Sequence, residues 1–140
     1  MSPQPVFQSV MIIDDNKFDI LISAQILRSI DYAKEIISYE DSSEALNYFI
    51  DIKERRVRRP IPDLIFLDIN MPGINGFEFL ERQGEWGKKI CSQLKIVMLT
   101  SSTKKEHKEQ AAKHRSVINY LPKPLDTETL LDSEFLKLCS

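Results

Sequence analysis

Acidic side chains follow two of the predicted strands at the point where each strand ends. Asp14 and Asp15 come directly after the apolar run Val10–Ile13. Asp68 comes directly after a second apolar run, Leu64–Leu67. Runs of this kind are typical of strands buried on both faces of a sheet. Ligands of open α/β sheets bind outside the carboxyl ends of the strands. We therefore expect the three carboxylates to meet at one edge of a parallel sheet.

Two later strands add a hydroxyl group and an ammonium group to the same predicted edge. The run Lys95–Leu99 is followed by Thr100, and the run Val117–Leu121 is followed by Pro122 and Lys123. Three carboxylates that lie together repel one another, so at least one carboxyl pKa should rise unless a cation is bound. Mg²⁺ is held by one or two carboxylates together with water and phosphate oxygens. The set of side chains therefore suits a divalent metal and a phosphoryl group.

The charges of this set balance. Three carboxylates carry three negative charges, which Mg²⁺ and Lys123 together offset. Phosphorylation would replace one of them by a charge of about −2. Each residue also has an ordinary structural role: Asp14 or Asp15 could cap the first helix, Thr100 could cap a strand end, and Lys123 could be a solvated loop lysine. These roles are the better interpretation of each residue alone, but their joint occurrence at four strand ends favours chemistry.

Strands and helices alternate along the chain, which predicts a parallel sheet with helices on both faces. We expect a second strand at Glu35–Tyr39. The predicted helices are Lys17–Ile30, one beginning near Asp41, one after Gly76, one near Thr103 and one after Asp126. Two of them have a capping-box pattern at their start, Asp41-x-x-Glu44 and Thr103-x-x-Glu106. Apolar stripes are expected at Ile20, Leu21, Ala24 and Leu27 in the first helix and at Leu131, Phe135 and Leu138 in the last.

The composition is that of an ordinary globular domain. The chain has 140 residues, 42% of them hydrophobic, and a net charge of −2. This charge gives no general reason to expect nucleic acid or an anionic membrane as a partner. The basic run Lys53–Arg59 is short and lacks interleaved aromatic residues, so we interpret it as solvated. Two cysteines cannot form a disulfide framework, and neither a signal peptide nor a membrane span is recognisable. We expect a cytoplasmic single domain over residues 1–140, without an output domain.

The residues at the four strand ends are similar to those of a known family. The chain resembles the receiver domain of two-component response regulators over nearly its whole length. The matching segments are Ile12–Asp15, Leu67–Gly76, Met98–Ser101 and Tyr120–Pro124. The resemblance implies a flavodoxin-like (βα)5 three-layer sandwich with a parallel five-stranded sheet of order 2-1-3-4-5.

The resemblance also implies roles for single residues. Asp68 would accept a phosphoryl group from a histidine kinase or a histidine phosphotransfer protein. Asp14, Asp15 and Asp68 would hold Mg²⁺ with the backbone carbonyl of Asn70. Thr100 and Lys123 would contact the phosphoryl group, and Tyr120 would be the aromatic switch residue. The family further implies a cis bond before Pro124 and an influence of Ser102 on the rate of dephosphorylation.

The predicted function is a phosphoacceptor switch of a phosphorelay rather than a turnover enzyme. Phosphorylation would change the surface of the fourth helix, fifth strand and fifth helix for a downstream protein that the sequence does not identify. We expect a monomer or a phosphorylation-dependent homodimer, with neither nucleic acid nor membrane as partner. The main alternative is a haloacid-dehalogenase-like Mg²⁺-dependent phosphohydrolase, which would want an Asp-x-Asp pair after the first strand. A flavodoxin-like nucleotide binder is disfavoured because no glycine-rich loop follows that strand.

Overall fold

The computed structural model describes residues 4–71, 73–86, 88–101 and 104–140. Its strands are β1 (Phe7–Ile13), β2 (Ala33–Tyr39), β3 (Leu64–Leu67), β4 (Ile96–Thr100) and β5 (Val117–Pro122). All are parallel and form one sheet in the order β2-β1-β3-β4-β5, which confirms the implied topology. The prediction of β3 matches the observed strand from end to end. β1 begins at Phe7 rather than at Val10, because the chain already pairs with β2 there.

Helices cover both faces of the sheet. They are α1 (Lys17–Ser29), α2 (Ser42–Lys53), α3 (Gly76–Gln83), α4 (Lys88–Gln93), α5 (Lys105–Ala112), α6 (Thr127–Leu131) and α7 (Ser133–Cys139). Side chains of β3 alternate between the two faces. Ile65 and Leu67 belong to the core formed with α2, α3, α4 and α5, whereas Leu64 and Phe66 belong to the core formed with α1, α6 and α7. No helix in the described ranges is long and apolar enough to cross a bilayer.

The first helix is capped by a residue that the sequence analysis did not single out. The side chain of Asn16 accepts hydrogen bonds from the backbone amides of Phe18 and Asp19, at 2.9 and 3.2 Å. Neither Asp14 nor Asp15 caps this helix, so the interpretation of that acidic pair as a helix cap is wrong.

The apolar stripe of α1 was predicted one residue too wide. Ile20, Ala24 and Leu27 are buried as expected, but Leu21 is 63% exposed. A residue adjacent to Ile20 is turned by about 100° around the helix, so Leu21 cannot share the core-facing stripe.

The last predicted helix is divided in two. Asp132 has an extended backbone, and its carboxylate caps α7 by accepting hydrogen bonds from the two amides that follow Ser133. The break separates Leu131 from the other two stripe residues, and the predicted stripe is wrong at two of its three positions. Phe135 is buried, but Leu131 and Leu138 are exposed. Their places in the core are taken by Leu130 and Cys139.

The capping predictions have mixed outcomes. Asp41 caps α2, but its side chain accepts only from the amide of Ser43, so no reciprocal pair with Glu44 forms. Thr103 lies outside the described residues, and Lys104 occupies the cap of α5. A capping box that the sequence analysis missed begins α3, where Asn75 and Glu78 bond each other's backbone amides. This cap fixes the start of the helix that follows the Asp68 loop.

The basic run lies on the surface between α2 and β3. Its residues from Arg55 to Arg59 are exposed, as expected for a solvated segment. Its last residue packs on an aromatic ring: the Arg59 guanidinium lies 5.0 Å from the ring centroid of Tyr48, whose hydroxyl donates to the carbonyl of Pro60 at 2.8 Å. Trp86, between α3 and α4, is buried and stacks on Phe49 with ring centroids 4.6 Å apart.

Candidate functional site

Backbone hydrogen bonds continue the sheet one residue beyond its strands and thereby fix the site. The amide of Asp14 donates to the last carbonyl of β2 at 3.1 Å, and the amide of Asp68 donates to the last carbonyl of β1 at 3.0 Å. On the other side of β3, the amide of Lys123 donates to the carbonyl of Thr100 at 3.0 Å. The strand ends predicted to carry the chemistry therefore lie along one edge of the sheet.

The three predicted carboxylates converge at this edge. Asp14, Asp15 and Asp68 each offer an oxygen, and these oxygens all lie within 4.8 Å of one another. Asp14 and Asp68 are buried, whereas Asp15 is exposed. Two of the three carboxylates are thus inside the fold, and the third remains open to ligands.

Burial and repulsion raise the pKa of Asp68 to about 6. The largest cause is the loss of water around its carboxylate, and the next is the negative charge of Asp14. The ammonium of Lys123 and a hydrogen bond from the backbone amide of Asn70 act in the opposite direction and lower the pKa. The rise expected for one member of a crowded acidic cluster is therefore found at Asp68.

Lys123 lies among carboxylates, as predicted, but Asp68 is not the nearest of them. Its Nζ is 2.7 Å from Asp14, 2.8 Å from Asp19 and 3.6 Å from Asp68. Burial alone would lower the pKa of Lys123, but hydrogen bonds to Asp14 and Asp19 and the charge of Asp68 raise it above its ordinary value. The ammonium therefore stays charged and ties α1 to the sheet edge.

Asp19 is the site residue that the sequence analysis missed. It lies in the first turn of α1, four positions after Asp15. One turn of helix spans 3.6 residues, so this spacing returns a carboxylate toward the end of β1. An acidic residue in a first helical turn has an ordinary explanation in the helix dipole, and only the position of Lys123 in the fold gives it a second one.

The donor set fits a hard divalent cation. Three carboxylates within reach of one another supply only oxygen ligands, which is the chemistry that Mg²⁺ prefers. After burial, the negative charge of Asp14 is the next cause of the raised pKa of Asp68. A cation at the cluster would reduce this repulsion.

The remaining predicted site residues lie on β4, β5 and the loop after β3. Thr100 is fully buried at the end of β4, opposite Pro122. Tyr120 is partly buried on β5, paired with Met98 and packed against the core of α2, α3, α4 and α5. Asn70 is exposed after β3. Ser102 lies outside the described residues, and the bond between Lys123 and Pro124 is cis, as the resemblance implied.

Comparison with known proteins identifies relatives of the chain. PilH of Pseudomonas aeruginosa is 32% identical over 74 residues, covering 53% of this chain and 59% of PilH, so the chain spans less than two thirds of that relative. The chemotaxis protein CheY of Treponema pallidum is 28% identical over 123 residues, covering 88% of this chain and 77% of CheY. A two-component response regulator of Cytophaga hutchinsonii has a similar crystal structure, with a TM-score of 0.82, 27% identity and coverage of 96% and 98% of the two chains.

The match to a family model covers most of the chain. The model of the response regulator receiver domain matches residues 10–133, which include all four strand ends of the site. Proteins of this kind are regulatory modules of phosphorelay signalling rather than turnover enzymes. The chain therefore belongs to the family of response regulator receiver domains of two-component systems.

Proposed function

We propose that the protein is a phosphoacceptor switch in which Asp68 receives a phosphoryl group from a phosphohistidine. A carboxylate oxygen of Asp68 attacks phosphorus, forming an acyl phosphate. The phosphorus–nitrogen bond breaks, and its electron pair leaves with the imidazole of the donor. Attack of water on the acyl phosphate later returns Asp68 to a carboxylate and releases inorganic phosphate.

Asp14, Asp15 and Asp68, together with the backbone carbonyl of Asn70, are proposed to hold Mg²⁺. When bound, the ion supplies Lewis-acid stabilisation of charge on the phosphoryl oxygens. The chain's own groups share this task. Lys123 neutralises charge on the equatorial oxygens, Thr100 donates a hydrogen bond from its hydroxyl group, and the buried edge of the sheet limits access of water to Asp68.

The output of the switch is proposed to be the surface of α5, β5, α6 and α7. Thr100 and Tyr120 connect this surface to the site, because they lie on adjacent strands and Tyr120 packs against the core that includes α5. Phosphorylation would shift the population of a state that already exists in the unphosphorylated protein. The readout is a changed affinity for a protein partner or for a second copy of the chain.

The proposed donors are a sensor histidine kinase or a histidine phosphotransfer protein, in the cytoplasm. A protein is the proposed downstream target rather than nucleic acid, because the basic run is confined to one loop and the net charge is −2. No specific observation favours the phosphohydrolase alternative: the acids after β1 are adjacent, whereas that mechanism wants an Asp-x-Asp pair.

One observation carries the proposal: the buried carboxylate of Asp68 lies between two acidic ligands and a lysine at the carboxyl edge of the sheet. Incubation with acetyl phosphate and Mg²⁺ should add one phosphoryl group, measured by mass spectrometry of the intact protein. Asp68→Asn should add none, whereas Asp31→Asn, at an exposed carboxylate after α1, should be labelled like the wild type. Full labelling of Asp68→Asn would show that another residue is the nucleophile, and Asp15 would be the first residue to test.

A further inference from the structure

The position of the Lys123 ammonium suggests a role for Asp19. Nζ lies 2.8 Å from Asp19 and 3.6 Å from Asp68, so the lysine is engaged more closely by α1 than by the proposed phosphoacceptor. A lysine ammonium has three donors. Asp14 and Asp19 each engage Nζ within hydrogen-bonding distance. The third donor remains available, but these two contacts hold Nζ 3.6 Å from Asp68, so a closer approach to a group on Asp68 would strain them.

The ion pair lies where it can be altered without opening the core. The Lys123 side chain is only 16% exposed, whereas the Asp19 side chain is 35% exposed at the rim of the site. The favourable interaction of Asp19 with the helix dipole explains why an acid is tolerated in the first turn. The interaction of Asp19 with the helix dipole does not require Lys123, which comes from the loop after β5.

Asp19 also changes the charge of the site. Without it, Asp14, Asp15 and Asp68 face one ammonium and the proposed divalent cation, and the charges balance. With Asp19 as a fourth carboxylate on the same ammonium, one negative charge remains. Phosphorylation of Asp68 adds about one more negative charge. Lys123, which would neutralise it, is already shared with Asp14 and Asp19.

We propose that Asp19 is a positioning residue that holds the Lys123 ammonium on the α1 side of the site and thereby restrains phosphoryl acceptance by Asp68. This inference rests on the proposed function of Asp68. It assigns to α1 a direct influence on the rate at which the switch is set, through a single ion pair.

The test compares phosphorylation rates with acetyl phosphate and Mg²⁺. Asp19→Asn should accelerate labelling about two- to fivefold, the effect of releasing one partly exposed ion pair. Asp19→Glu, which keeps the charge, should be labelled at close to the wild-type rate. Glu44→Gln removes the corresponding first-turn carboxylate of α2 and should leave the rate unchanged.

A double-mutant cycle separates positioning from other effects. If Asp19 acts through Lys123, the acceleration by Asp19→Asn should vanish when Lys123 is replaced by Ala in both proteins. The same acceleration in both backgrounds, an unchanged or slower Asp19→Asn, or an equal acceleration by Asp19→Glu would each overturn the inference. If the wild type takes up no phosphoryl group, both the proposed function and this inference are wrong. If the wild type is labelled but Asp19→Asn has no effect, only this inference is wrong.

Discussion

At the scale of single residues, the site gathers negative charge in a buried place and thereby lowers the stability of the fold. Asp68 is 5% exposed and lies beside Asp14, so its ionised form is disfavoured in the folded protein. Lys123 offsets part of this repulsion but is shared with Asp19. Asp68 should therefore reduce stability at neutral pH whenever no cation is bound.

Asp68→Asn should stabilise the metal-free protein at pH 7. The pKa of Asp68 is about 6 in the folded state, against an ordinary value of 3.8 for an exposed aspartate. Because the folded pKa is the higher one, protonation contributes stability that is complete below pH 3.8 and is lost as the pH rises through 6. The variant's advantage should be at most about 3 kcal/mol at pH 7 and should shrink to about 1 kcal/mol at pH 4.5.

Urea unfolding in the presence of a chelator, at both pH values, measures this difference. Glu35→Gln is the control, since it replaces an exposed carboxylate of β2 outside the cluster. An Asp68→Asn effect of the same size at both pH values would show that the titration of Asp68 is not its cause.

Lys123→Ala should impair switching more than folding. Its loss removes one counter-charge from the carboxylate cluster, which should lower metal-free stability modestly. The phosphorylated form has an additional negative charge and should lose more. Partner binding or dimer formation is measured with and without the phosphoryl mimic fluoroberyllate, with Lys34→Ala as a control at an exposed lysine of β2. If Lys123→Ala responds to fluoroberyllate as fully as the wild type does, Lys123 has no role in switching.

At the scale of elements, the start of α3 is packed against the backbone of Asp68, the proposed phosphoacceptor. A Cβ atom on Gly76 would lie 2.5 Å from the carbonyl oxygen of Asp68 and 2.9 Å from the Cα of Ile69. Both neighbours are backbone atoms and cannot swing away. The Gly76 amide also donates to the Ile69 carbonyl at 2.9 Å. The capping box of α3 and the end of β3 thus form one unit.

Gly76→Ala should therefore displace the Asp68 loop. We expect a loss of about 1–3 kcal/mol in the free energy of unfolding, as for other overpacked sites, together with slower labelling by acetyl phosphate. Gly84→Ala is the matched control, because its Cβ would meet only the Glu81 carbonyl, at 3.3 Å. Urea unfolding and labelling rates give the two measurements. Equal stability of both variants would mean that the loop after β3 yields easily.

At the scale of the whole molecule, ligands at the sheet edge are coupled to folding. The acidic cluster forms only when β2, β1 and β3 are paired, because the Asp14 amide bonds the end of β2 and the Asp68 amide bonds the end of β1. An unfolded chain has no such cluster. Anything that binds there should stabilise the folded state by mass action.

Mg²⁺ should accordingly raise the melting temperature of the wild type. A cation present at 100 times its dissociation constant adds about 2.7 kcal/mol to the stability. In Asp15→Asn the increase should be much smaller, whereas Asp31→Asn should respond like the wild type. Differential scanning fluorimetry with and without a chelator measures the shifts. Equal responses of wild type and Asp15→Asn would refute the assignment of Asp15 as a ligand.

Much of the fold and of the acidic cluster follows from the sequence alone. Buried strands are readable from apolar runs, and Asp14, Asp15 and Asp68 are placed by the rule that parallel strands end at a common edge. Leu131 and Leu138 were placed wrongly, because burial depends on where helices break and on which face each helix turns to the core. Asp132 ends α6 and caps α7, and the leucines on either side of it, Leu131 and Leu138, are both exposed.

Only the tertiary structure decided how charge is shared at the site. Nothing in the residues around Asp19 distinguishes it from other acids in first helical turns. Its role depends on Lys123, which lies 104 positions away in the chain and reaches it at 2.8 Å. Periodicity and strand ends reflect local sequence, whereas the partners of a long, flexible ammonium side chain are set by the packing of α1 and of the loop after β5 around the same edge. The sequence by itself therefore determined which groups meet, and the fold determined which of them the lysine holds.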